Sequence, residues 1–199
     1  MRLLFYLLIV KPFLLLAAGV AVRGRERLPQ RGPALIVANH NSHLDALVLA
    51  AILPLRLLPR IRAAASAEYF LRGRWRSWFA RRVVGIIPVE TKGGCPHAEV
   101  LGEVRDALAA GEIVIFFPEG TRGEPECLGK LKSGIVWLAQ ELPMVPICPI
   151  RLRSLGKVLP KGDWLPVPFF CDAWVGEPLR WEGDRQRFMA CLLYTSDAA

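Results

Sequence analysis

Two short runs constrain the fold more than anything else in this chain. Ala34-Leu-Ile-Val-Ala38 and Ile113-Val-Ile-Phe-Phe117 are unbroken apolar stretches. Each is too short for a buried helix and suits a strand covered on both faces. Such strands belong to sheets sandwiched between helices. Each run also stops abruptly at a polar loop. Asn39-His40-Asn41-Ser42-His43-Leu44-Asp45 follows the first, and Pro118-Glu119-Gly120-Thr121-Arg122-Gly123 follows the second.

The rest of the pattern alternates in the same way. Further strands are expected over 61–66, 83–89, 144–152 and 169–175, with helices over 46–53, 68–82, 97–110 and 132–141. The helix over 97–110 carries Val100, Leu101, Val104 and Leu108 on one side, and Gly111 supplies its C-cap. The expected fold class is α/β, a mixed, mostly parallel sheet flanked by helices. In such sheets ligands gather in the loops beyond the carboxyl ends of the strands. The two polar loops leave the two most apolar strands and are therefore read as one site.

The ends of the chain differ from this core. Residues 3–22, LLFYLLIVKPFLLLAAGVAV, are the most hydrophobic stretch. At ~1.5 Å per residue, about 20 residues just cross a bilayer core. Lys11-Pro12 near the middle is costly for a simple spanning helix. A membrane-associating helix or kinked, re-entrant helical hairpin in one leaflet is expected instead, with Lys11 snorkelling. Arg23, Arg25 and Arg27 follow as a cytoplasmic flank. The expected division is a membrane-associating segment 1–22, an α/β domain 23–190 and a tail 191–199 to which no function is assigned. The expected location is the cytoplasmic face of a membrane, the inner membrane if the source is bacterial.

Charge narrows the partners. Lys plus Arg number 26 against 18 Asp plus Glu, a formal net charge of +8, which calls for an anionic partner. No nucleic-acid motif accompanies the charge, so nucleic acid is not expected. Residues 56–82 hold eight arginines and no lysine, with tryptophans interleaved. That pattern favours an anionic membrane surface, or an acidic acyl carrier. Five cysteines, odd in number and without CxxC spacing, are read as reduced thiols and not as zinc ligands or a disulfide framework.

The first loop carries the chemistry. If His40 ends the strand and Asp45 starts the helix, their side chains meet across the turn. Asp45 then accepts from one imidazole nitrogen and leaves the other free as a general base for a substrate hydroxyl. Ser42 is discounted as a nucleophile, because no GxSxG elbow surrounds it. His40, His43 and Asp45 lie close enough to suggest a metal, but their spacing is not that of a helical HExxH site, and no metal is expected. In the second loop Gly120 permits a turn barred to other residues. Arg122 offers a fork suited to phosphate, Glu119 accepts from hydroxyls, and the turn's N–H groups can form an oxyanion site.

These residues resemble the glycerolipid acyltransferase family, the 1-acylglycerol-3-phosphate and related lysophospholipid acyltransferases. Asn39 to Asp45 matches the family's NHxSxxD, and Phe117 to Gly123 matches FPEGTRS except at Gly123. Lys132-Ser133-Gly134 matches Lys-x-Gly, and Val145 to Ile150 follows VPxxPV. The resemblance covers roughly residues 25–180. It implies an O-acyltransferase in which His40, braced by Asp45, deprotonates an acceptor hydroxyl that attacks an acyl thioester. The acyl-CoA or acyl-carrier protein is a co-substrate, with no further cofactor and no acyl-enzyme. The implied substrate-binding residues are Asn39, Ser42, Glu119, Gly120, Thr121, Arg122 and Lys132, with Glu119 at the acceptor's glycerol and Arg122 at its phosphate. The implied acceptor is a lysophospholipid such as 1-acylglycerol-3-phosphate. One departure stands out: Gly85 to Thr91 follows the family's GxIxVxR but places Thr91 where its phosphate-gripping Arg is expected. Another lipid with a free hydroxyl therefore stays open as the acceptor. So do two other readings: a membrane-associated metal-dependent hydrolase and a non-catalytic lipid-binding protein.

Overall fold

A computed structural model describes residues 1–42, 44–70, 73–90, 95–120, 129, 131–155 and 169–197. Its centre is a seven-stranded sheet: β1 (Ala18–Arg23), β2 (Ala34–Ala38), β3 (Ile61–Ser66), β4 (Ile86–Val89), β5 (Ile113–Phe116), β6 (Ile147–Arg153) and β7 (Phe169–Val175). The strand order is β1-β7-β6-β2-β5-β3-β4. The five strands from β6 to β4 are mutually parallel. β7 runs antiparallel to β6, and β1 runs parallel to β7. The sheet is thus mixed and mostly parallel.

Period-2 alternation sorts the strand residues onto two faces. Ala34, Ile36 and Ala38 of β2 join Ile113 and Ile115 of β5 on one face. The helices covering them are α1 (Arg2–Phe5), the π-helical turn Tyr6–Val10, α2 (Lys11–Ala17) and α3 (Asp45–Ile52). They contribute Tyr6, Val10, Leu14, Val48 and Leu49. Leu35, Val37, Val114 and Phe116 face the other way. Two short helices, α4 (Ala67–Phe70) and α5 (Arg74–Phe79), precede β4, and α6 (His97–Ala109), α7 (Gly134–Glu141) and α8 (Arg185–Asp197) follow. Val104, Leu108, Ile135, Leu138, Phe188 and Leu192 from the last three cover that second face.

The expected end of α6 is the observed one. Gly111 takes φ +82°. The Glu112 N–H donates to the Ala107 carbonyl and the Gly111 N–H to the Leu108 carbonyl, both at 3.0 Å. That is a Schellman closure, which satisfies two orphan carbonyls.

Several expectations change: the helix expected over 68–82 is divided into α4, α5 and a π-helical turn, and the strand expected from Met144 starts at Ile147. Residues 18–22 are not the second arm of a helical hairpin. They form edge strand β1, with Val20 and Val22 packed against the first core. β-branched residues at alternate positions suit a pleated surface better than a helix. The preceding run is helical from Arg2 to Ala17, and no helix among the described residues is long and apolar enough to cross a membrane. The strand expected from Val83 starts only at Ile86, because Ala80–Val84 closes a π-helical turn that ends on Gly85 at φ +82°. Residues 191–197 continue α8 and do not form a separate tail; Leu192 is fully buried.

Leu192→Ala removes a buried side chain from the second core and is expected to cost about 2–5 kcal/mol in unfolding free energy by urea titration. A loss below about 0.5 kcal/mol, the range of ordinary surface substitutions, contradicts a docked α8.

Candidate active site

β2 pairs in parallel with both β5 and β6, with Val37 opposite Phe116 and Ala38 opposite Ile150. The carboxyl ends of all three strands therefore lie at one edge, and the two polar loops leave side by side. Asp45 is the first residue of α3 and is completely buried. Its Oδ2 accepts from the Asn41 N–H at 2.6 Å and the Ser42 N–H at 2.8 Å. The same oxygen lies 2.9 Å from His40 Nδ1. An oxygen already accepting two N–H groups acts as a carboxylate acceptor, so Nδ1 supplies the proton. The carboxylate also sits at the positive end of α3.

In the neutral ring this tautomer leaves the lone pair on Nε2. Nε2 has no hydrogen-bond partner among the described residues, and the side chain retains 23% of its exposure. The ring stacks on Phe117, with centroids 4.3 Å apart and planes 21° from parallel. The arrangement can take a proton at Nε2 while the positive charge that develops is countered through Nδ1.

The second loop reaches the first through Glu119. Its Oε1 accepts from the His40 backbone N–H at 3.0 Å and its Oε2 from the Gly129 N–H at 3.2 Å. Glu119 is buried, and burial pushes its carboxyl above the ordinary 4.5, against the opposing pull of those two N–H donors and of His40. Gly120 follows at φ +73°. A Cβ there would lie 2.6 Å from Lys132 Nζ, so the Lys132 side chain lies across this glycine. The Lys132 N–H also donates to the Pro118 carbonyl at 2.9 Å.

The third strand contributes a clamp. The Asn39 side chain donates to the Leu152 carbonyl at 2.9 Å and accepts from the Leu152 N–H at 2.7 Å. It replaces one step of backbone pairing between β2 and β6. Asn41 Nδ2 adds a longer contact to the same carbonyl at 3.3 Å. Ser42 is buried, and its Oγ accepts from the Leu44 N–H at 3.3 Å.

His40, Asp45, Asn39, Ser42, Glu119, Gly120 and Lys132 thus gather at one edge of the sheet. Asn39 and Ser42 are turned inward onto main chain, and both Glu119 oxygens already hold backbone N–H groups. His43, Thr121, Arg122, Thr91 and Lys92 lie outside the described residues. Phe117, in the sequence a strand end and the first residue of a motif, and the Leu152 main chain are not among the expected site residues. Phe117 ends an apolar run and looked like core, and Leu152 contributes only backbone.

The fold and this edge define an α/β protein with a carboxylate-braced histidine at the carboxyl ends of parallel strands. The family model described as Acyltransferase matches residues 19–153, and the chain belongs to that family. It is 31% identical to the chloroplastic 1-acyl-sn-glycerol-3-phosphate acyltransferase LPAT1 of Arabidopsis thaliana, over 72% of this chain and 38% of that protein. It is 31% identical to the mouse (Mus musculus) 1-acyl-sn-glycerol-3-phosphate acyltransferase alpha, over 82% of this chain and 56% of that protein. A lyso-ornithine lipid O-acyltransferase of Rhizobium meliloti is 27% identical, over 71% of this chain and 46% of that protein. The chain therefore spans between 38% and 56% of these relatives' length. The crystal structure of the 1-acyl-sn-glycerophosphate (LPA) acyltransferase PlsC from Thermotoga maritima shares the fold. Its TM-score is 0.76 at 22% identity, covering 98% of this chain and 77% of that one.

The raised Glu119 carboxyl has a signed consequence. The native state holds this proton more tightly than the unfolded chain, so Glu119's contribution is complete below pH 4.5 and is lost as pH rises through its elevated value. Glu119→Gln removes that term. The variant's urea midpoint is expected to fall less steeply than wild type over the pH interval just above 4.5. Equal slopes contradict a burial-dominated carboxyl.

Proposed function

We propose that the protein is an O-acyltransferase that moves a fatty acyl group from an acyl thioester to a free hydroxyl of a lysophospholipid. The donor is acyl-CoA or acyl-carrier protein. His40 Nε2 takes the acceptor's hydroxyl proton as that oxygen attacks the thioester carbonyl. The tetrahedral intermediate collapses to the ester, and the departing thiolate leaves with a proton returned from His40. Asp45 holds the ring and counters its transient charge. The single observation behind this reading is the His40–Asp45 contact at 2.9 Å, on a loop that Glu119 ties to its neighbour. The activity named for the relatives from Arabidopsis thaliana and Mus musculus supports it.

The metal-dependent alternative is less well supported. Asp45 Oδ2, the carboxylate oxygen nearest the imidazole, is already engaged by two backbone N–H groups. Arg122 and Lys132 are assigned to the acceptor's anionic group, on the strength of the second loop and of the Lys132 side chain lying across Gly120. With Thr91 at the position of the expected arginine, the acceptor class extends past 1-acylglycerol-3-phosphate to other lipids with a free hydroxyl. The Rhizobium meliloti relative is named for such an acceptor. The helical N-terminal run is assigned to the cytoplasmic face of a membrane. Leu8, Leu15 and Leu16 stand exposed on it while Tyr6, Val10 and Leu14 hold it to the core.

His40→Ala is expected to lower kcat by about 10²–10⁴-fold. The assay uses a labelled acyl donor, a panel of lysolipids and the membrane fraction. The fold is retained, because the backbone N–H to Glu119 survives. A loss under about tenfold defeats the general-base assignment.

A further inference from the structure

We infer that α5 and the adjoining π-helical turn form a second lipid contact, joined to the N-terminal run in one face that docks on a bilayer with anionic headgroups. The inference goes beyond the reading of the N-terminal run as membrane-associated and rests on it.

Trp75 is 83% exposed, and Trp78 and Phe79 are also exposed. Trp75 and Trp78 meet edge to face at 6.2 Å. Adjacent exposed aromatics on so short a helix are not core residues. The patch is continuous with the N-terminal run, because Phe5 packs edge-on against Phe79 at 5.3 Å. Arg2 fixes the junction: its guanidinium donates to the Ile61 carbonyl at 2.6 Å and the Val84 carbonyl at 2.8 Å. The first turn of the run is therefore held against the π-helical turn.

Charge selects the occupant. Between Glu68 and Glu90 the chain carries five arginines and no acidic residue. Arg74, Arg81 and Arg82 among them are exposed beside the aromatics. Tryptophan seats at the headgroup level while arginine meets anionic lipid, which is the composition of an interfacial helix. A second copy of this chain would bring the same arginines against themselves, and the exposed tryptophans, continuous with the exposed leucines of the N-terminal run, favour a bilayer over an acidic protein.

The face also reaches the working end of the sheet. Leu15 and Leu16, each 81% exposed, lie in the last turn of α2, with Ala17 alone between them and β1. β1 starts opposite Phe169, the first residue of β7. β7 is antiparallel to β6, so its start lies toward the end of β6 where Leu152 clamps Asn39. Along the N-terminal run the face therefore extends from the Phe5–Phe79 contact to Leu15 and Leu16 at the His40 end.

The test is co-flotation of the full-length protein with vesicles of phosphatidylcholine alone, and of phosphatidylcholine mixed equally with phosphatidylglycerol. Three double variants are compared with wild type: Trp75→Ala/Trp78→Ala, Arg81→Gln/Arg82→Gln and Leu15→Ser/Leu16→Ser. All these side chains are exposed, and circular dichroism and Tm are expected to match wild type. The tryptophan pair is expected to weaken binding to both vesicles by roughly tenfold or more. The arginine pair is expected to weaken binding to the mixed vesicles only. If the tryptophan pair floats like wild type while the leucine pair does not, the second contact is overturned and the N-terminal reading stands. If wild type floats with neither vesicle, both fall. A tryptophan pair that changes the oligomeric mass in solution without altering flotation marks a contact between copies and also overturns the assignment.

Discussion

One carboxylate oxygen organises this end of the molecule. Asp45 Oδ2 collects the Asn41 N–H, the Ser42 N–H and the His40 imidazole within 2.9 Å, at the start of a helix and out of contact with water. Each hydrogen bond to a charged acceptor is worth about 1.5–3 kcal/mol. Together they bend the chain from β2 into α3 along a fixed path and set which ring nitrogen carries the proton. Without that oxygen the loop would lose its internal acceptor, and the histidine its orientation.

The polar residues of the two loops divide by what they touch. Asn39 is committed to the backbone of β6, Ser42 to the turn before α3, and Glu119 to the backbone of both loops. These side chains act as struts. Among the described residues His40 keeps one nitrogen unengaged, and the Lys132 ammonium lies across Gly120. The density of polar groups in a greasy chain is explained mainly by the cost of ending three buried strands at one place. Each strand end exposes N–H and C=O groups that need partners, and the loop side chains supply them.

Much of this was legible in the residues. Five-residue apolar runs announced buried strands, and Gly111 announced the end of α6. The spacing of His40 and Asp45 foretold a contact across a turn. What was hidden depended on adjacency. Nothing local says that β6 lies on the far side of β2 from β5, so the Asn39–Leu152 clamp could not be foreseen. Ala18–Val22 continues an apolar helical run without a break in composition, and pairing with β7 settles it as a strand. Val83 and Val84 suit a strand by propensity but close a π-helical turn ahead of Gly85. Short apolar runs are ambiguous between helix and strand until neighbours decide them. The inward turn of Asn39, Ser42 and Glu119 was equally out of reach, because a motif identifies residues without saying which of them face the cleft.

The tautomer of His40 is the most direct test. The chain has three histidines, so ¹⁵N labelling of histidine with single-site variants for assignment resolves each imidazole by NMR in detergent micelles. At a pH where the ring is neutral, the account predicts the proton on Nδ1, directed at Asp45, with an unprotonated Nε2; Asp45→Asn is expected to redistribute it. A His40 that carries its proton on Nε2 in the wild-type protein contradicts the account, because that nitrogen would then have no lone pair with which to accept a hydroxyl proton.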